Sequence, residues 1–240
     1  MLLQRGNIKL GPLIHTFSLP AFETCPGHTA ACAAVCYGQD GFYTMPAVDS
    51  ALWQNYLASK RRNFANEVIH QIRKDKARLV RLHPAGDFYN ESYLRKWIRI
   101  AKRCSSTVFY GYTRTWRVAK LLPLLLELNE LKNVVLWWSA DCETDLYDGE
   151  PPRAAGVRVA YLQIQHDEPI PEYADLVFRS KRDTLRKYID GRLVCPVENG
   201  YTKWVYKMTC SDCKICHRTN VVPRRARDYT GPLEKVLIEL

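Results

Sequence analysis

No stretch of this 240-residue chain stays apolar for the ~18–20 residues that a membrane-spanning helix needs. The most apolar window, LLPLLLEL at 121–128, is far too short. The opening MLLQRGNIKLGPL lacks the apolar core and small-residue cleavage site of a secretory leader. Membrane partners are therefore not expected, and the expected compartment is the cytoplasm. Internal repeats and low-complexity tracts are missing too, so a repeat architecture is excluded. Acidic residues are in short supply: 25 Asp+Glu stand against 35 Lys+Arg, for a formal charge of +10. A polyanionic partner suits that balance, and nucleic acid is the expected one.

What the chain does have is cysteine, nine in all. An odd number in a reducing compartment argues against a disulfide framework and points to metal or redox chemistry. Seven of the nine fall in two groups. CPGHTAACAAVC places Cys25, Cys32 and Cys36 within residues 25–36, spaced x6 then x3. CPVENGYTKWVYKMTCSDCKIC places Cys195 ahead of Cys210-x2-Cys213-x2-Cys216. Consecutive x2 spacings let one turn of chain reach three corners of a cuboidal 4Fe–4S cluster, with a fourth thiol from elsewhere. Zinc is the rival metal, although structural zinc more often uses two separated CxxC knuckles. One or two clusters are expected. Three N-terminal thiols leave a fourth position for a substrate, a cofactor or a distant thiol, with Cys142 and Cys195 as the candidates. The spacing does not decide where Cys195 belongs. Cys104 reads as a small buried hydrophobe.

Between the two groups, strand-like and helix-like stretches alternate. Helical patterns cover 48–77, 91–104, 116–131 and 182–191, the last ending at Gly191. Strands are expected at 78–83, 106–114, 133–142, 156–164, 174–180 and 192–196, with one more before the first cysteines. Such alternation implies a parallel sheet. The expected fold is α/β: a partial parallel (β/α) TIM-like barrel over 1–195, with a cysteine-rich basic extension over 196–240 packed on it. A doubly wound open sheet is the alternative. The connections at 143–156 and 165–173 show no clear helix.

In a parallel α/β fold the strand C-terminal ends share one face, where sites are built. Asp87, in the turn after the strand RLVRLH, is the candidate catalytic carboxylate, as base or as the group that orients a bound amine. The bland alternative is a turn-closing or helix-capping Asp. His83, Arg114, Asp141, Glu143 and the run Gln165–Glu168 also follow strands, with ordinary structural roles as the alternative for each. Tyr110, Tyr112, Trp116, Trp137 and Trp138 are either stacking platforms or core. For a nucleic-acid backbone the candidates are Lys203, Lys207, Arg218, Arg224, Arg225 and Arg227, joined by Lys214, with Trp204, Tyr206 and Tyr229 interleaved.

Two resemblances follow from these motifs. CPGHTAACAAVCYG (25–38), RLHPAGDFYNESYLRKW (81–97), FYGYTRTW (109–116) and the terminal CP…CSDCKIC resemble the phage and plasmid family called gene product 88. That resemblance implies an iron–sulfur protein of mobile elements, working in the host cytoplasm, and supplies no reaction. More distantly, the order of motifs looks like a radical S-adenosylmethionine enzyme with an auxiliary cluster. There, a three-cysteine motif binds a cluster whose open iron holds S-adenosylmethionine, and Ala85-Gly86-Asp87 sits where a glycine-rich turn contacts its amino group. The radical spacing is x3 then x2, with an aromatic residue before the last cysteine. Here it is x6 then x3, with Tyr37 after Cys36. Three functions remain as expectations: a cluster-stapled nucleic-acid-binding protein, a cluster-dependent enzyme with an open iron, and a zinc-stapled protein that engages a host protein.

Overall fold

The structure, a computed structural model, describes residues 2–152, 156–180, 188–197 and 209–218. A short hairpin comes first, β1 (Gln4–Arg5) and β2 (Ile14–Phe17), followed by the cysteine loop with its small helix α1 (Ala30–Ala34). Helices α2 (Pro46–Lys60) and α3 (Phe64–Lys74) lead into β3 (Leu79–Leu82), α4 (Glu91–Arg103), β4 (Val108–Thr113), α5 (Leu122–Asn129) and β5 (Val134–Ala140). Then come α6 (Cys142–Tyr147), β6 (Arg158–Gln163), β7 (Leu176–Arg179), a second edge hairpin of β8 (Tyr188–Ile189) and β9 (Arg192–Val194), and α7 (Cys210–Cys213).

The nine strands form one sheet in the order β1-β2-β3-β4-β5-β6-β7-β9-β8. From β2 through β7 to β9 every pairing is parallel; β1 and β8 add antiparallel edges. The order never reverses, so the doubly wound alternative fails. The series also ends in two edges, so what stands is a mixed α/β fold with a mostly parallel nine-stranded sheet.

Right-handed crossovers in an unreversed order put the connecting helices on one face. The packing follows suit. Phe64 and Val68 of α3, Trp97 of α4 and Leu125 of α5 share a core with Val80, Phe109, Leu136, Trp138 and Val177. Alternate residues of the same strands point the other way: Ile14, Tyr110, Val135, Trp137, Ala160, Leu176 and Leu193 form a second core. Among the described residues that second face is covered by Cys195, Cys213 and Ile215.

Local chemistry explains the boundaries. Asn90 caps α4, its Oδ1 accepting from Tyr93 N at 2.9 Å. Pro123 is tolerated because it falls in the first turn of α5, and the helix expected from 116 starts only at Leu122. The expected helix over 48–77 is two helices: the backbone turns extended at Arg61 (ψ 147°), and Arg61 pairs with Glu67 at 2.8 Å. The expected helix ending at Gly191 is corrected where it is described. Tyr188–Ile189 is a strand, and Asp190 and Gly191, with φ of 48° and 73°, make the two-residue turn to β9. Residues 181–187 of that expectation lie outside the described residues. The expectation of no helix near 143 is also corrected, by α6, which Asp141 starts with a capping box to Thr144.

One side chain ties the helix layer to the sheet. Asn133 Nδ2 reaches the carbonyls of Ala101, Cys104 and Thr107 at 3.1, 3.1 and 3.0 Å. Asn133→Ala leaves partly buried carbonyls without that donor and should cost about 1–3 kcal/mol. A urea midpoint that falls with an unchanged m-value is the expected result; an unmoved midpoint would show that water replaces the amide freely.

Candidate metal centre

The N-terminal cysteines sit on a loop pinned by the C-terminal ends of several strands. Gly27 lies so close to the end of β4 that a Cβ there would stand 2.0 Å from the Arg114 carbonyl oxygen. Thr29 caps α1, its hydroxyl accepting from Cys32 N at 2.9 Å and donating to Asp141 Oδ2 at 2.6 Å. Glu143 receives Ala30 N and Ala31 N at 2.8 and 3.0 Å. The two carboxylates that bracket Cys142 thus hold the helix that carries Cys32. After Cys36, the Tyr37 hydroxyl donates to the Pro84 carbonyl beyond β3.

Cys25, Cys32 and Cys36 open together onto a cavity of 850 Å³ at the strand C-terminal ends, lined also by Arg81, Asp87, Tyr112, Arg114 and Arg179. Burial pushes the Cys25 thiol up to about 12, with Asp87 and the neighbouring thiols adding to the rise. Burial also raises Cys32, opposed by the Arg114 guanidinium.

The candidate catalytic Asp87 is 5% exposed, and four donors occupy its carboxylate. Oδ1 accepts from the Thr113 hydroxyl at 2.6 Å and Phe88 N at 2.7 Å; Oδ2 accepts from Arg114 N at 2.8 Å and Thr115 N at 3.2 Å. Burial raises its pKa and those bonds pull it back. Its place is that of an anchor joining the turn after β3 to the end of β4. Gly86, at φ 82°, makes that turn possible: a Cβ there would stand 2.6 Å from Leu19 Cβ. Arg114 forms a buried ion pair with Asp141 at 2.7 Å. His83 accepts or donates at Tyr93 Oη, 2.7 Å away, and packs edge-on against Phe88.

The second cysteine group covers the inner sheet face. Cys195 follows β9, its N–H bonding the Val177 carbonyl at 2.8 Å. The 209–218 segment is fastened by Cys210 N to the Lys9 carbonyl at 3.0 Å and by Ser211 Oγ to the Leu10 carbonyl at 2.9 Å. Trp137 Nε1 donates to the Cys216 carbonyl at 2.9 Å, and Arg158 Nη2 to the Arg218 carbonyl at 2.8 Å. Burial pushes Cys210 up to about 11 and Cys216 up to about 12, and Cys195 is the next contributor at both. Cys213 is raised well above an ordinary thiol by burial, then by Cys216, Cys195 and Cys210. Cys195 and Cys213 share the inner core, with Cys210 and Cys216 packed against it, so Cys195 lies with the C-terminal three, a choice the spacing left open. Cys142 is exposed, with Glu168, Asp141 and Glu143 as its charged neighbours. The arrangement is four thiols in one place and three in another.

The donor chemistry suits a thiophilic metal: the four side chains gathered at the inner core are all thiols. A single zinc ion needs its sulfurs about 3.8 Å apart, from the Zn–S length and tetrahedral angle. Among the described residues no group of three or more Cys, His, Asp or Glu side chains forms a ready single-ion site.

The remaining candidates fall out as follows. Cys104 is buried in the helix-side core. His28 Nδ1 lies 2.7 Å from the Cys25 carbonyl. Glu168 folds back on Ile164 N and Tyr161 Oη at 2.8 and 2.6 Å, closing its own loop. Tyr110, Trp116, Trp137 and Trp138 are core residues, at most 5% exposed. Lys203, Lys207, Arg224, Arg225 and Arg227, with Trp204, Tyr206 and Tyr229, lie outside the described residues. Arg218 is half-buried at the end of the cysteine segment, beside exposed Lys214. Sequence reasoning passed over Arg81; its signal was a charge at an inward position of a strand otherwise apolar.

The model of the Gene product 88 family matches residues 1–219. The chain belongs to that family. Gene 88 protein of Mycobacterium phage D29 is 30% identical over 149 residues, covering 57% of this chain and 60% of that protein. Gene 88 protein of Mycobacterium phage L5 matches to the same extent. The chain thus spans about 60% of the length of these curated relatives. No solved structure matches. Among the described residues no helix is long and apolar enough to cross a membrane.

Burial holds the His83 imidazole down to about 3, so it is neutral in the fold. The unfolded chain takes up a proton there below about pH 6.5, and the fold does so only near its own depressed value. Stability from this group is complete above pH 6.5 and drains as pH falls, at up to about 1.4 kcal/mol per unit. His83→Asn tolerates the local φ of 49° and removes the proton uptake. Urea unfolding between pH 7 and 5 should show a shallower acid decline in the variant. Equal slopes would mean that His83 is not held neutral.

Proposed function

We propose that this phage-family chain is a two-site iron–sulfur protein: a closed, four-thiol cluster at Cys195, Cys210, Cys213 and Cys216, and a three-thiol cluster at Cys25, Cys32 and Cys36 with one iron facing a ligand cavity. The observation that carries it is the three-plus-four grouping, with only the three-thiol set lining the cavity at the strand ends. Thiolate wrapping on all sides suits a cluster used as structure, whereas an iron without a protein ligand suits binding or catalysis. The Cys210-x2-Cys213-x2-Cys216 spacing favours a cuboidal cluster over zinc, since one turn of chain then reaches three separate iron corners. Curvature of the parallel sheet into a partial barrel belongs to the same reading. The cavity ligand is a small molecule, with S-adenosylmethionine the first to try, and Asp87 positions the turn beside it. Enzymatic, cluster-dependent chemistry is the favoured consequence.

A second reading, nucleic-acid binding in the host cytoplasm, rests on the +10 charge and the basic C-terminal run. The two are compatible, since a nucleic acid can be the substrate.

Iron, sulfide and zinc per chain, on protein purified without oxygen, test the first reading. About eight irons and eight sulfides are expected, from two 4Fe–4S clusters. Cys213→Ser should halve the iron and lower the melting temperature, because metal affinity here is folding energy; Cys32→Ser should halve the iron with a smaller thermal effect. Zinc without iron would sink the proposal. For the second reading, Arg224→Ala with Arg225→Ala should reduce the salt slope of DNA or RNA binding by about 1.8, two phosphate contacts' worth. A slope equal to the parent's would remove these residues from any interface.

A further inference from the structure

Two side chains border both cysteine groups. Arg81, on β3, and Tyr112, on β4, line the cavity with Cys25, Cys32 and Cys36. Both also face the C-terminal group. Tyr112 packs with Cys216 and Cys210 in the inner core, and its ring lies 6.0 Å from that of Trp137, whose indole holds the Cys216 carbonyl. The Arg81 guanidinium carbon lies 5.5 Å from the centre of the Tyr112 ring. Its backbone is in register with Tyr110, whose ring stacks near His217, next in the chain after Cys216. Arg81 Nε is buried without a hydrogen-bond acceptor, and no carboxylate is paired with this guanidinium among the described residues. The thiol shifts agree with the placement: Arg81 lowers both Cys210 and Cys216, and Tyr112 lowers Cys216.

We infer that Arg81 and Tyr112 form a shared wall between the two sites and set the reduction potential of the C-terminal cluster. The inference rests on the iron–sulfur reading above. Adding one electron to a cluster makes it more negative by one charge. A buried cation beside it, and the O–H dipole of a phenol packed at the same place, stabilise the reduced state more than the oxidised state. The low dielectric of the inner core keeps that preference from being screened away. Arg81 is therefore a positioning and tuning residue, and it explains why a charge without a carboxylate partner is kept inside the sheet. Both side chains raise the potential, the guanidinium by its charge and the phenol by its O–H dipole.

The test isolates the C-terminal cluster in a Cys25→Ala, Cys32→Ala, Cys36→Ala background and follows its EPR signal against applied potential. Arg81→Met keeps an unbranched stem and removes the charge; Tyr112→Phe keeps the ring and removes the hydroxyl; Arg81→Lys keeps the charge. Met and Phe variants should carry the parent's iron and become harder to reduce, the Met variant more so, while the Lys variant stays near the parent. Unmoved potentials at full iron content would overturn the inference and leave the iron–sulfur reading standing. A parent without iron would overturn both. Where Arg81→Met loses iron, Tyr112→Phe decides. The same measurement on the chain with all its cysteines serves if the triple replacement does not fold.

Discussion

A parallel sheet built strictly in chain order has its crossovers on one side, because each crossover is right-handed and the direction never changes. Here that leaves the face carrying Ile14, Tyr110, Val135, Trp137 and Leu176 without a layer of crossover helices among the described residues. Water against such a surface would forfeit about 25 cal/mol for each Å² left exposed. Something must cover it, and among the described residues the cover includes Cys195 and the short segment from Thr209 to Arg218. The position of the second cysteine group is thus a consequence of topology. The first group occupies the other place that the topology defines, the mouth formed by the strand C-terminal ends.

The mouth itself is organised by carboxylates that are spent on structure. Asp87 gathers four donors from the turn after β3 and the end of β4. Asp141 starts α6, receives the Thr29 hydroxyl and neutralises Arg114, all while fully buried. Glu143 finishes the job by taking two N–H groups of α1. Each is an acceptor-only group placed where the backbone has orphan donors. The loop with Cys25, Cys32 and Cys36 is consequently fastened at Thr29, Ala30 and Ala31 by acceptors from beyond β5.

Much of this was legible. Alternating strands and helices gave the parallel sheet. The failures have specific physical causes. Gly191 after a helical-looking RDTLRKYI read as a C-cap, yet a C-cap and a two-residue hairpin turn both ask for positive φ, and local sequence does not separate them. The break between α2 and α3 contains neither Gly nor Pro; it is set by Arg61 turning extended, a tertiary effect. Asp141 and Glu143 were visible as strand-end carboxylates, but their work is done on α1, more than a hundred residues away. The grouping of Cys195 was unreadable for the same reason: it depends on which sheet face the end of β9 presents.

Packing alone holds the C-terminal cysteine segment weakly. The described segment 209–218 offers the sheet little apolar surface beyond Ile215 and its cysteines. Its backbone bonds to Lys9 and Leu10 are few, and ordering each residue costs about 1–2 kcal/mol in backbone entropy alone. Protonated, the thiols are weak donors with little to hold them together; ionised, they would repel, which adds to the rise that burial gives Cys210, Cys213 and Cys216. In the proposed iron–sulfur reading a cluster removes both difficulties, displacing the protons and binding all four sulfurs to one centre. In that reading Arg81, which has no carboxylate partner among the described residues, gains its counter-charge from a net negative centre.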